Sequence, residues 1–196
     1  MRPLQFSLTL ATEVLLRAGV KILQYRHKEP WTQAEYDEAV QISRLCREAG
    51  VLFVLNDRAD YARLLGAALH LGQDDLPPLA ARRVIGDEVI GFSAHDRIQL
   101  EWANEERVEY VSLGPIFSTS SKHNPDPTVG VLGLRELRAL STKSLVAIGG
   151  IKLENADDVL AAGADSVAVI SGLVPGTCDR NAFRRRAEEW MARTRG

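Results

Sequence analysis

Seven short apolar runs recur along the chain, each followed by a turn and then by residues at helical spacing, and this alternation constrains the fold more than any other feature. They are KILQYR from Lys21, VLFVLN from Val51, ALHL from Ala68, VIGFS from Val89, YVSLG from Tyr110, LVAIGG from Leu145 and SVAVIS from Ser166. Several are apolar at successive positions, as in LVAI and VAVI, which suits strands covered on both faces of a parallel sheet. Between them, Thr32 to Ala49 carries the helix-start pattern T-x-x-E (Thr32, Glu35), apolar Ala39, Ile42 and Leu45, and a terminating Gly50. Asn155 to Ala162 reads the same way, with Asn155 as N-cap, Asp157 and Asp158 in the first turn and Gly163 beyond the end. Leu134 to Leu140 and Ala182 to Arg193 are further helices, the last with Phe183 and Trp190 seven apart on one face.

Repeated strand–helix units leave two architectures, the doubly wound open sheet and the closed (β/α)8 barrel. A doubly wound nucleotide binder carries a G-x-G-x-x-G or Walker loop after its first strand, and this chain has neither. Polar residues instead follow every strand, as a barrel requires. The expectation is therefore an α/β protein with a (β/α)8 TIM-barrel fold. No Gly/Ser-rich linker or low-complexity tract divides the chain, so a single domain over 1–196 is expected. A barrel needs eight strands, and seven are counted. LQFSLTL near the N-terminus alternates as a strand would, but Leu8, Ala11, Leu15 and Ala18 continue as one helical face into Gly19, so a helix is expected from about Thr9. The first strand is missing or truncated, which leaves two unpaired strand edges unless another chain covers them, as a homo-oligomer would.

Composition removes several classes. The 196 residues carry 24 Lys+Arg against 26 Asp+Glu, a net charge of −2, without a basic stripe, so nucleic acid is not an expected partner. No run approaches 18 apolar residues, so no membrane span is expected and the cytoplasm is the expected compartment. Cys46 and Cys178 lie far apart without C-x-x-C spacing and read as ordinary thiols, Cys46 packed on a helix.

The strand ends hold the chemistry. Gln24, Arg26 and Lys28 alternate on an extended chain and share one face, an arrangement suited to a polyanion such as a diphosphate, although a solvent-exposed strand end would look the same. Asp57 ends the next strand and Asp74–Asp75 the one after. Carboxylates supplied singly from neighbouring loops beside a phosphate site suit Mg²⁺, while an isolated Asp there also serves as a turn former or N-cap. Ser93 reads as a hydrogen-bonding hydroxyl without a general base; pairing it with His95 lacks a nucleophile elbow. The run STSSKHNPDPTVG, with Thr119, Ser120, Ser121 and Lys122, has the composition of a polar lid or of a disordered loop. Gly149–Gly150 and Ser171–Gly172 follow the last two strands, where barrels commonly bind a phosphate, and the same glycines would also make tight turns.

QYRHK, NDRAD, HLGQDDLP, IGFSAH, GPIFSTSSK, AIGGI and AGADSVAVIS together resemble the thiamine phosphate synthase family, in order and near-family spacing from about Gly19 to Ser171. The resemblance implies a (β/α)8 barrel joining a hydroxymethylpyrimidine diphosphate to a thiazole phosphate, both small molecules, with Mg²⁺. It implies that Gln24, Arg26 and Lys28, with Asn56, Ser93 and Lys122, hold the pyrimidine diphosphate, and that Asp57 and Asp75 ligate Mg²⁺. Thr119, Ser121, Gly150, Ile170 and Ser171 would receive the thiazole phosphate. Arg26, Lys28 and Lys122 would stabilise the leaving charge as the catalytic cations. Ala67-Ala68-Leu69-His70 is one residue shorter than the family's approach to that strand, which would shift Asp75 relative to Asp57. A thiazole tautomerase and a non-catalytic precursor-binding paralogue are the alternatives.

Overall fold

A computed structural model describes residues 4–119, 126–174 and 179–194. Seven parallel strands, β1 (Ile22–Tyr25), β2 (Leu52–Asn56), β3 (Ala68–Leu71), β4 (Ile90–Ala94), β5 (Tyr110–Leu113), β6 (Ser144–Ile148) and β7 (Ser166–Ala168), pair in chain order. All seven coincide with the apolar runs read from the sequence to within one residue, β4 running on to Ala94 and β6 starting at Ser144. Helices α1 (Leu8–Ala18), α2 (Gln33–Glu48), α3 (Ala59–Leu65), α4 (Pro78–Ile85), α5 (Arg97–Glu105), α6 (Gly130–Arg138), α7 (Ala156–Ala161) and α8 (Arg180–Thr194) alternate with them. The arrangement is TIM-barrel-like, but the described residues contain no eighth strand, so β1 and β7 stand at the ends of the sheet.

Local chemistry sets most helix ends. The Ser7 hydroxyl accepts from the Leu10 amide at 3.2 Å, so LQFSLTL is a cap and the start of α1, which ends on Gly19 at φ 100°. At α2, Thr32 and Glu35 form a reciprocal capping box. Two expectations need correction. Asn155 sits at the N-cap of α7, but its side chain accepts from the Lys152 amide at 2.8 Å and closes the preceding turn instead. The helix expected from Leu134 begins at Gly130. There the amides of Val129 and Gly130 donate to the carbonyls of Pro115 and Ile116, a long-range anchor that residue spacing does not encode.

Alternation along the strands separates two faces. Phe53, Leu55, Leu69, Leu71, Ile90, Phe92, Val111, Leu113, Leu145 and Ala147 are buried in the main core shared with the helices. Cys46 of α2 belongs to that core, and burial pushes its thiol up to about 11. A second, smaller cluster of Ala11, Val14 and Phe183 joins α1 to α8. The opposite strand face carries Gln24, Asn56, His70, Ser93, Tyr110 and Ser112. Branched apolar residues normally fill a barrel interior; here Val54 and Ile148 share that face with the polar groups, which line a cavity.

Candidate active site

The cavity, about 430 Å³, opens where the strands end and is lined by all seven of them or the loops that follow. Gln24, Arg26 and Lys28 line it together, as their alternation requires, whereas Tyr25 points away and bonds Glu38 at 3.0 Å. The next strand turns sharply at Asp57, whose φ of 65° is unusual for a residue with a side chain. That turn brings the Asp57 carboxylate onto the Lys28 ammonium.

Asp75 reaches the same corner from the β3 loop. Its carboxylate accepts from the Gly72 amide at 2.6 Å and lies close enough to the Asp57 carboxyl for its pKa to be raised by it. Burial first, and the Asp57 carboxyl second, raise its pKa above the ordinary carboxylate range. Among the described residues no group of three or more His, Cys, Asp or Glu could hold a metal. A hard divalent ion that completes its shell with water and phosphate oxygens needs only one or two carboxylates, and this pair meets that requirement. Asn56 lines the cavity beside them, and its buried Nδ2 has no hydrogen-bond partner among the described residues. At 6% exposure it is a donor that a molecule in the cavity could satisfy.

The floor holds a network that the sequence did not reveal. His70, 6% exposed, lies 3.0 Å by Nδ1 from the Tyr110 hydroxyl and 2.9 Å by Nε2 from Ser93 Oγ. Ser93 therefore does have a histidine beside it, though not His95. The pair lacks the carboxylate that would orient a catalytic imidazole, since Nδ1 meets a phenol, so Ser93 remains a hydrogen-bonding group. Burial lowers the His70 pKa to about 4. His95 is held elsewhere, with Nδ1 2.5 Å from the Gly114 carbonyl and Nε2 3.5 Å from Asp126. The available signal for His70 was a lone polar residue in the otherwise apolar run ALHL, at the parity that faces the interior.

Thr119 after β5, Gly149 and Gly150 after β6, and Ile170 and Ser171 after β7 line the same cavity. Gly150 has φ 65°, and a Cβ there would stand 2.6 Å from the Ser118 carbonyl and 2.7 Å from Phe117. The bare backbone thus lets the segment leading to Thr119 pass against the β6 loop. Ser120, Ser121, Lys122 and Cys178 lie outside the described residues.

Comparison with known proteins agrees with this geometry. The sequence profile of the Thiamine monophosphate synthase family matches residues 4–173. The chain is 44% identical over 187 residues to the thiamine-phosphate synthase of Koribacter versatilis (strain Ellin345), covering 94% of this chain and 85% of that one. It is 39% identical over 183 residues to that of Moorella thermoacetica, covering 92% and 87%. Thiamine phosphate pyrophosphorylase from Pyrococcus furiosus superimposes with a TM-score of 0.86 at 30% identity, over 99% of this chain and 92% of that one. With its motifs gathered on one cavity and this likeness extending over nearly its whole length, the chain belongs to the thiamine monophosphate synthase family.

Proposed function

We propose that this protein is a thiamine phosphate synthase, joining 4-amino-2-methyl-5-(diphosphomethyl)pyrimidine to thiazole phosphate and releasing diphosphate. The observation that carries the reading is the convergence of Gln24, Arg26, Lys28, Asp57 and Asp75 with Gly150 and Ser171 on a single cavity. One wall offers cations and carboxylates for a diphosphate, and the other offers glycine backbone and hydroxyls for a phosphate monoester. A thiazole tautomerase has no use for the first wall.

On this reading the bond between the pyrimidine methylene carbon and the diphosphate oxygen breaks, and the oxygen keeps the electron pair. The thiazole nitrogen then donates its pair to the methylene carbocation. Arg26 and Lys28 hold the diphosphate and stabilise its growing charge, joined by Lys122 from the loop after β5. Asn56 Nδ2 donates to the same half of the substrate, and Gln24 and Ser93 orient the ring. Thr119, Ser121, Gly150, Ile170 and Ser171 hold the thiazole phosphate so that its nitrogen faces the carbon, which is the entropic share of catalysis. Asp57 and Asp75 would hold Mg²⁺, which when bound neutralises charge on the leaving diphosphate. The same reading takes the seven strands as seven of the eight of a (β/α)8 barrel.

Purified protein supplied with both precursors and Mg²⁺ is expected to release diphosphate and form thiamine phosphate in equal amounts. Folded protein that binds the precursors without turnover would identify a precursor-binding paralogue.

A further inference from the structure

We infer that His95 is a positioning residue that fastens both ends of the loop joining β5 to α6 and so fixes where Thr119 stands in the cavity; the identity of the ligand that Thr119 meets there rests on the proposed function.

The loop leaves β5 at Gly114, whose amide donates to the Ala94 carbonyl at the end of β4 at 3.2 Å. Its other flank has no room, since a Cβ on Gly114 would stand 2.1 Å from the Ile148 carbonyl oxygen of β6. Gly114 is thus held between β4 and β6, and His95 Nδ1 meets its carbonyl at 2.5 Å. A carbonyl only accepts, so Nδ1 is the donor. The next amides continue along β6, Ile116 donating to the Ile148 carbonyl at 2.9 Å and Phe117 to the Gly149 carbonyl at 3.0 Å. This path leads to Thr119, which lines the cavity.

The far end of the loop returns to the same imidazole. Asp126 brings its carboxylate to 3.5 Å from His95 Nε2, an ion pair when the ring is protonated. Just beyond it, the amides of Val129 and Gly130 donate to the Pro115 and Ile116 carbonyls, and α6 begins. His95 is itself held, because its amide donates to Gln99 Oε1 at 2.8 Å and Asp96 beside it caps α5. A rigid point after β4 therefore grips one residue at each end of the loop. His95 and Asp126 both line the cavity, yet the proposed chemistry uses neither.

The grip bears on affinity. A segment ordered on folding does not have to be ordered again when a ligand arrives, so releasing one end moves that entropic cost onto binding. His95 acts through the loop and not on the reacting atoms.

His95→Asn places an amide N–H where Nδ1 stands and gives up the reach to Asp126, and Asp126→Ala removes the other partner. Trypsin cleavage after Lys122, which lies between the two ends in sequence, is followed by mass spectrometry on ligand-free protein, and thiazole phosphate binding is followed by calorimetry. Each single variant is expected to be cut after Lys122 about tenfold faster than the wild type, and the double variant no faster than either, with cleavage at other sites unchanged. Thiazole phosphate should bind all three about tenfold more weakly, while kcat at saturation stays within about twofold of the wild type. Unchanged cleavage in either single variant, or effects that multiply in the double variant, would overturn the joint grip. Faster cleavage at every site, as a general loss of structure causes, also overturns it, as does a fall in kcat without weaker binding. A wild type that binds no thiazole phosphate while the cleavage rates follow expectation upholds the grip and refutes only the proposed function.

Discussion

The Lys28 ammonium and the Asp57 carboxylate form an ion pair across the ends of β1 and β2, and the aspartate reaches it from a left-handed backbone conformation. Both facts bear on substitution. Asn tolerates positive φ nearly as well as Asp, whereas Ala there costs about 1 kcal/mol in backbone strain. Because the pair is partly solvated, its own contribution to stability is small. Asp57→Asn is therefore expected to unfold in urea within about 0.5 kcal/mol of the wild type while losing Mg²⁺-dependent turnover. Asp57→Ala loses turnover equally and also about 1 kcal/mol of stability. Equal unfolding midpoints for the two variants would show that the turn is not strained.

Arg26 lines the part of the cavity proposed for the diphosphate, and Gly150 and Ser171 the part proposed for the thiazole phosphate. Arg26→Ala is expected to raise the KM for the pyrimidine diphosphate by about 100-fold, the loss of one charge-assisted bidentate contact. Thiazole phosphate should bind the variant with unchanged affinity in calorimetry. Equal loss of both ligands would refute the division of the cavity into two walls.

The strands and helices α1, α2, α7 and α8 were legible because their periodicity is local: LVAI puts buried Leu145 and Ala147 on one face and half-buried Val146 and Ile148 on the other, and Thr32 with Glu35 declares a helix start without reference to anything distant. VAVI, expected to be covered on both faces, ends the sheet and is only half-buried, with Ile170 exposed. The convergence of Gln24, Arg26 and Lys28 on the cavity was legible for the same reason, since alternation alone puts them on one face. What stayed hidden depends on register between strands. Nothing near Tyr110 in sequence says that its hydroxyl reaches His70 across Gly91, or that His70 rather than His95 meets Ser93. The early start of α6 at Gly130 was hidden likewise, because its anchors are carbonyls of Pro115 and Ile116. The meeting of Asp57 with Asp75 also depends on register.

Gly150 and Gly50 share nearly the same backbone, φ 65° and 66°, but not the same surroundings. A Cβ at Gly50 meets nothing within 4 Å, whereas at Gly150 it collides with Ser118 and Phe117. Gly50→Ala is expected to cost about 1 kcal/mol from strain alone. Gly150→Ala should cost about 2 kcal/mol more, because a displaced backbone segment is added. That segment leads to Thr119, so Gly150→Ala is also expected to weaken thiazole phosphate binding, read by calorimetry, which Gly50→Ala leaves intact. Matching effects of the two on stability and binding would show that the β6 loop yields freely.

His70 makes stability depend on pH in a calculable direction. Its pKa falls to about 4 in the folded protein because burial disfavours the imidazolium, against about 6.5 in the unfolded chain. Between these values the unfolded state binds the extra proton, so acid favours unfolding. The contribution is fully present above pH ~6.5 and is lost progressively as pH falls toward 4, to a total of about 3 kcal/mol. His70→Gln keeps an amide able to meet both Tyr110 and Ser93 but cannot titrate. Urea unfolding at pH 7 and pH 4.5 is therefore expected to differ by about 2 to 3 kcal/mol more in the wild type than in His70→Gln. The two proteins losing stability in parallel would place the acid sensitivity on the carboxylates and refute a neutral, buried imidazole at the cavity floor.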